Sequence, residues 1–215
     1  MASKIPKTLH CIRIWDLPAP MKRINSRIEK HPDWKYKLRW NKELEQTKRI
    51  NQRAIDVFKA NKQRAGVADV MRYEILYRYW WAMHWADSLC LNNISELFED
   101  GYENYAVDTS HKEWDEVLPA NINSVAPLYA CTPWSRLAKK LIDEIKKITV
   151  FKSAAKTVGN RLMQRVLNEQ ERNIKKRPQH YFLPEHYNWY KYQWPDKIYA
   201  KHYRGTTKWT YNQWI

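Results

Sequence analysis

The sequence predicts an α/β fold: a single domain over residues 1–215 in which helices flank a mostly parallel central sheet. Short apolar runs that suit strands alternate along the chain with amphipathic segments that suit helices. The chain is long enough to bury a sizeable core, and 44% of its residues are hydrophobic, as in globular proteins. It contains neither an internal repeat nor a low-complexity linker, so one domain is the simplest organisation, either a whole protein or one module of a longer one.

The first part of the chain predicts a β-α-β unit. The run "KTLHCIRIW" follows a proline and alternates apolar with polar residues, which is typical of a strand. Residues 21–30 place Met21, Ile24 and Ile28 at helical spacing, and "HPDW" ends this helix. "KYKLRW" predicts the second strand, and the polar segment 41–61 is predicted to be largely helical.

The alternation continues through the rest of the chain. Residues 65–79, "AGVADVMRYEILYRY", predict a strong helix, and "WWAMHWADSLCL" predicts a strand directly after it. "NNISELFEDGY" indicates a loop and a short helix, and "NYAVDTS" and "NSVAPLYA" indicate two more strands. Residues 133–148 carry the clearest apolar stripe of any predicted helix.

Charge and cysteine content restrict the function classes. The net charge of +15 attracts phosphates, nucleic acids, anionic glycans or acidic membranes. The basic residues are scattered, and no RNA- or DNA-binding motif is recognisable, which argues against a nucleic-acid partner. Cys11, Cys90 and Cys131 lack CxxC spacing, which favours buried reduced thiols over disulfides or a zinc site. Without an apolar run long enough for a membrane span or a signal peptide, we expect a cytoplasmic protein.

Three residues predict a phosphate-binding site. Asp69 and Arg72 are three positions apart, so they share one face of their predicted helix. By itself this spacing predicts only an exposed ion pair, worth a few tenths of a kcal/mol. Asp87, in "YRYWWAMHWADS", ends the strand that follows. A carboxylate at the carboxyl end of an α/β strand suits a divalent cation that bridges a diphosphate, to which Arg72 can donate hydrogen bonds.

The stretch "ADVMRYEILYRYWWAMHWADS" resembles the signature of the DXD-containing glycosyltransferases of family 32, which include fungal mannosyltransferases and are related to the catalytic domains of the clostridial glucosylating toxins. Five more stretches, between Ile5 and Trp209, resemble the family's other segments in the same order. They are "IPKTLHCIRIW", "HPDWKYKLRW", "NINSVAPLYACTPWSRLAKKLI", "KTVGNRLMQRVL" and "YAKHYRGTTKW". The resemblance implies a GT-A-like fold and the transfer of a hexose from a UDP- or GDP-sugar to a hydroxyl of a glycan or glycoprotein, with retention of configuration.

The resemblance also implies roles for seven residues. Asp69 and Arg72 would contact the donor sugar and its diphosphate as the catalytic pair. The others would complete the metal and donor site: Asp87 and His202 as ligands of Mn²⁺ or Mg²⁺, Gly205 beside the diphosphate and Trp209 beside the donor. His10 matches an opening-strand position with a structural or nucleotide-adjacent role.

The chain departs from the family pattern in the opening strand, at Arg13 and Trp15, and at three tryptophans of the signature. Trp80 and Trp81 stand where the family has two glycines, and Trp85 stands where it has the first aspartate of the DXD motif. His84 is a poor replacement, because strand alternation places Trp85 on the same face as Asp87. The site is therefore either rebuilt around a stacking tryptophan or degenerate. Two alternatives remain open: a degenerate family member that acts as a glycan-binding module, and a basic nucleic-acid-binding protein.

Overall fold

The structure is a computed structural model, and it describes residues 5–14, 20–39, 46, 48–79, 82–84, 88–108, 128–169, 174–185 and 197–202. The strands in these ranges are β1 (Thr8–Ile12), β2 (Lys35–Arg39), β3 (Ala82–His84), β4 (Ser88–Cys90), β5 (Asn104–Asp108), β6 (Leu128–Cys131), β7 (Ile174–Pro178) and β8 (Ala200–His202). The α-helices are α1 (Met21–Lys30), α2 (Gln52–Ala60), α3 (Arg64–Tyr79), α4 (Arg136–Lys146), α5 (Ala154–Thr157) and α6 (Asn160–Glu169). Short 3₁₀ helices occupy Ser95–Phe98 and Gln179–Tyr181.

Most strands belong to one sheet in the order β2-β1-β3-β6-β5-β7. β1 lies parallel to both β2 and β3, and β5 lies parallel to β7. β6 is antiparallel to both of its neighbours, β3 and β5. The predicted α/β class is confirmed, and the predicted parallel character holds for part of the sheet. The apolar pattern of β6 predicts a strand but carries no information about its direction, which depends on its connections and on the neighbours it pairs with.

Cores cover both faces of this sheet, because adjacent residues of a strand point to opposite faces. Ala106 and Tyr129 belong to the core under α2, α3, α4, α5 and α6. Their neighbours Tyr105 and Leu128 belong to a second core with Phe98 on the other side. β5 and β6 are therefore buried on both faces, and they hold the two cores together.

The predicted strand "WWAMHWADSLCL" is wrong as a single element. The structure divides it into β3, in the main sheet, and β4, which pairs with β8 in a separate antiparallel sheet. Side chains of α1 satisfy the backbone of β4 directly: Ser26 Oγ accepts a hydrogen bond from the Cys90 N–H at 3.0 Å, and the Arg27 guanidinium donates to the Ser88 carbonyl at 2.6 Å. Because these hydrogen bonds come from a helix far away in the sequence, the local strand pattern could not show that β4 leaves the main sheet.

Two further segments differ from the sequence expectation. Within the predicted helix 41–61, the structure describes α2 and a helical residue at 46, while residues 48–51 are not helical. Residues 50 and 51 donate their N–H groups to the buried Glu74 carboxylate. β7 was not predicted, because its sequence "IKKRP" is basic. It is an edge strand, where charged residues are common, and its Arg177 pairs with Asp100 at 2.9 Å.

The predicted boundaries of α1 are confirmed, and those of α3 and α4 differ from the prediction by one to three residues. Among the described residues, no helix is both long enough and apolar enough to cross a membrane.

Candidate active site

The predicted catalytic pair, Asp69 and Arg72, lies on α3. α3 packs against β1 and β3, and only two residues separate it from β3. The chain therefore reverses direction between them, so the first half of α3 lies toward the carboxyl ends of β1 and β3. In open α/β sheets ligands bind at this edge. Asp69 stands in this half of α3, and Arg72 follows at the middle of the helix.

Asp69 and Arg72 form an ion pair, with 3.0 Å between Oδ1 and a terminal guanidinium nitrogen. Their side chains are 14% and 9% exposed, respectively. The two side chains share a helix face, as the spacing predicts, and the pair is buried rather than exposed as the spacing taken alone would suggest. Neighbouring elements bury it, and removing one partner of a buried pair costs far more than breaking a surface pair.

The junction between α5 and α6 closes over this pair. A Cβ on Gly159 would stand 2.9 Å from Asp69 Oδ2, so glycine permits the carboxylate to approach the backbone there. Next to it, the Tyr73 hydroxyl donates to the Val158 carbonyl at 2.9 Å. The "KTVGN" segment is thus drawn against α3. Sequence reasoning assigned no site residue in this segment, although Gly159 is one of only four glycines in the chain.

Burial changes the titration of this carboxylate. It raises the pKa of Asp69 from 3.8 to about 6, while the Arg72 charge opposes the shift. Asp69 is therefore mostly ionised at neutral pH and is held beside a fixed positive charge. An ionised carboxylate in this position accepts hydrogen bonds from hydroxyl groups.

β4 and β8 hold another of the predicted site residues, His202. Ser88 lies directly opposite His202 in this antiparallel pair, so both side chains occur on one face. Both residues are buried. The Ser88 hydroxyl has no hydrogen-bond partner among the described residues, and buried hydroxyls are rarely left without one. Sequence reasoning did not single out Ser88, because nothing in the sequence reveals its burial.

The other predicted site residues lie outside the described part of the chain. They are Asp87, Gly205 and Trp209, and Trp80, Trp81 and Trp85 lie outside it as well. The described residues contain no group of three or more His, Cys, Asp and Glu side chains that could hold a metal ion. A buried hydroxyl oxygen and an imidazole nitrogen on one face fit part of a Mn²⁺ coordination shell. The predicted Asp87 carboxylate directly precedes Ser88 in the sequence and would supply a further oxygen ligand.

His10 has the contacts of a packing residue. It is buried in β1, its Nδ1 accepts a hydrogen bond from Arg39 Nε at 3.1 Å, and its ring stacks on Tyr79. Burial, reinforced by the Arg39 charge, lowers the pKa of His10 far below its usual value. These contacts favour the structural role over the nucleotide-adjacent one.

The fold is similar to solved glycosyltransferase structures. PaToxG Glycosyltransferase matches with a TM-score of 0.58 and 11% identity over 77% of this chain and 70% of that chain. The apo form of mouse Xyloside xylosyltransferase 1 matches with a TM-score of 0.53 and 11% identity over 94% of this chain and 99% of that chain. No family model and no curated protein matches the sequence. The chain has a GT-A-like glycosyltransferase fold, as predicted, while its assignment to family 32 stays a prediction.

Proposed function

We propose that this chain is a glycosyltransferase that moves a hexose from a UDP- or GDP-sugar to a hydroxyl of a glycan or glycoprotein, with a divalent cation and with retention of configuration. One observation carries the proposal: Asp69 and Arg72 form a buried ion pair on α3, the helix that leads into β3, in a fold shared with glycosyltransferases. Transfer of a sugar from a nucleoside diphosphate requires a group that holds the sugar and a group that holds the phosphates.

Arg72 is the proposed diphosphate ligand. Its guanidinium presents several N–H donors in a plane, which suits two phosphate oxygens. The residue is only 8% exposed, so its interaction with a developing negative charge is weakly screened by water. Arg72 would therefore stabilise the nucleoside diphosphate as its bond to the sugar breaks.

Asp69 is the proposed sugar ligand. One of its oxygens lies 3.0 Å from Arg72 and the other lies against Gly159, so the carboxylate has little freedom to rotate. A fixed acceptor holds sugar hydroxyls in one orientation, which places the anomeric carbon relative to the leaving group. The same pair thus ties the position of the sugar to the position of the diphosphate.

The proposed metal ligands are Asp87 and His202, with the Ser88 hydroxyl on the same strand face as His202. A bound Mn²⁺ or Mg²⁺ would neutralise charge on the departing diphosphate. Gly205 and Trp209 remain the proposed contacts to the diphosphate and the donor. With Trp85 in place of the family's first aspartate, we expect weaker metal binding than in an intact DXD site.

Calorimetric titration with UDP, GDP, UDP-glucose and GDP-mannose tests this function, first with Mn²⁺ and then with EDTA. We expect one nucleotide to bind in a metal-dependent way, and Asp87→Ala to abolish that binding. Arg72→Ala should weaken UDP or GDP binding more than binding of the corresponding nucleoside. Asp33→Asn, which disrupts the exposed Lys7–Asp33 pair, is the control and should bind normally.

Three results would contradict the proposal. Unchanged affinity in Asp87→Ala would remove the metal role, and equal losses of nucleotide and nucleoside in Arg72→Ala would remove the phosphate role. Failure of the wild-type protein to bind any of the nucleotides would reject donor binding altogether and favour a glycan-binding or nucleic-acid-binding protein.

A further inference from the structure

A cleft lies along the exposed side of α4. It has a volume of about 350 Å³, and its aromatic wall consists of Tyr77, near the end of α3, and Trp134, in the turn before α4. The two rings meet edge to face with their centroids 5.2 Å apart. The Trp134 side chain is left in solvent, since the residue is 62% exposed.

The backbone at Trp134 is strained. Its φ of 55° lies in the left-handed region, which costs a bulky residue roughly 1–2 kcal/mol. The turn is fixed on both sides: Thr132 donates its N–H to the Glu103 carbonyl at 2.9 Å, and the Ser135 hydroxyl donates to Asn104 Oδ1 at 2.6 Å while it caps α4. Strain of this kind persists where the surroundings enforce it, and it is commonest at binding sites. The exposed indole is therefore presented in a rigid setting.

The rest of the cleft carries charges of both signs at helical spacing. These residues are Arg136, Lys139, Lys140, Asp143, Glu144 and Lys147. Lys139 pairs with Asp143, and Lys147 pairs with Glu144. A polyanion is matched best by cations alone, and the two carboxylates would repel it. A neutral sugar offers hydroxyls that both donate and accept, so a wall with ammonium and carboxylate groups beside an aromatic face matches it better.

This cleft is separate from the proposed donor site. β6 runs antiparallel to β3, with Ala130 beside Ala82, so the end of β6 and the turn that follows lie at the edge where β1 and β3 begin. Asp69 lies toward the opposite edge. Along α3, Tyr77 follows Asp69 by eight residues, a rise of about 12 Å.

We propose that this cleft is a second, non-catalytic sugar-binding site that holds a neutral oligosaccharide by stacking a pyranose ring on the Trp134 indole. The charged side chains of α4 bind the ring hydroxyls. The site needs neither the donor nor the metal, so it goes beyond the proposed transferase activity and does not depend on it.

Fluorine NMR of protein labelled with 5-fluorotryptophan tests the proposal, because each of the twelve tryptophans gives its own signal. The signal missing from Trp134→Phe identifies Trp134. The probes are the neutral oligosaccharides mannotetraose, xylotetraose, cellotetraose and chitotetraose. At least one should shift the Trp134 signal in a saturable way, and the shift should persist in Arg72→Ala, in which donor binding is impaired. Loss of the shift in Arg72→Ala would overturn the separation of the two sites.

Affinity measurements complete the test. Trp134→Ala should bind the active oligosaccharide about tenfold more weakly, the scale expected for an aromatic contact with its buried area. Val150→Ala is the control, because Val150 is also highly exposed (64%) but lies outside the cleft. Unchanged affinity in Trp134→Ala, or no response of the Trp134 signal to any of the four sugars, would overturn the proposal. A response to a dT₁₀ oligonucleotide or a heparin fragment without a response to the sugars would also overturn it and assign the cleft to a polyanion.

Discussion

The contact between Gly159 and Asp69 supports a quantitative prediction for Gly159→Ala. Gly159 directly precedes α6, and its carbonyl accepts a hydrogen bond from the Met163 N–H at 3.1 Å. An added Cβ would stand 2.9 Å from Asp69 Oδ2, 3.1 Å from the Ala155 Cα and 3.2 Å from the Ala154 carbonyl oxygen. The last two atoms are backbone, and the Ala154 carbonyl accepts hydrogen bonds from residues 158 and 159, so the Asp69 side chain is the neighbour most able to move.

Two opposing effects determine how much Gly159→Ala lowers the free energy of unfolding. Overpacking a close contact costs about 1–3 kcal/mol. The φ of Gly159 is outside the left-handed region, so alanine also restricts the unfolded chain, which stabilises the fold by about 0.4–1 kcal/mol. We expect a net loss of about 1–2 kcal/mol in the free energy of unfolding. For a chain of this length the melting temperature should fall by roughly 2–8 °C.

A double-mutant cycle shows whether the Asp69 carboxylate is the group that is displaced. In an Asp69→Ala background the nearest contact is absent, so Gly159→Ala should cost less by about 0.5 kcal/mol or more. Thermal and urea unfolding of the four proteins measure this difference. Nucleotide-sugar affinity should also fall in Gly159→Ala, because the displaced carboxylate no longer meets the sugar. Equal costs in both backgrounds, together with unchanged nucleotide-sugar affinity, would refute the positioning of Asp69 by Gly159.

Three further predictions concern pH and buried polar groups. Because the pKa of Asp69 is raised to about 6, donor affinity should fall as the pH drops through this value; calorimetry should show a smaller pH dependence in Asp69→Asn than in the wild type, and an equal dependence in both would contradict this role. Glu74→Gln should lose about 1–3 kcal/mol in urea unfolding, because Ile50 and Asn51 donate to different oxygens of the carboxylate and the amide replaces one of these acceptors by an NH₂ donor; full stability would contradict this role. Burial lowers the pKa of His31 in the folded protein below 6.5. As the pH falls, His31 is therefore protonated more readily in the unfolded chain than in the folded protein. The stability that neutral His31 contributes above pH 6.5 is lost in acid for this reason. The stability gap between the wild type and His31→Phe should therefore narrow in acid, and a constant gap would count against this explanation.

The candidate site was predictable only in part. Helical spacing predicted that Asp69 and Arg72 share a face, and the structure confirms their ion pair. Neither its burial nor the role of Gly159 was predictable, because the segment that covers the pair is some 90 residues away in the sequence. The assignments of Asp87 and His202 as metal ligands, and of Gly205 and Trp209 as donor contacts, stay predictions.

The sequence by itself determined the elements whose pattern is local. The apolar periods of β1, β2, α1, α3 and α4 are complete within each segment, so these elements are where the sequence predicts them. Tertiary structure decided what depends on distant partners. It set the antiparallel direction of β6 and the pairing of the basic strand β7. It also separated β4 from β3, because side chains of α1 and the strand β8 satisfy hydrogen-bonding groups of the β4 backbone. A local pattern shows which residues need burial, whereas the choice of partner is made only when the whole chain is folded.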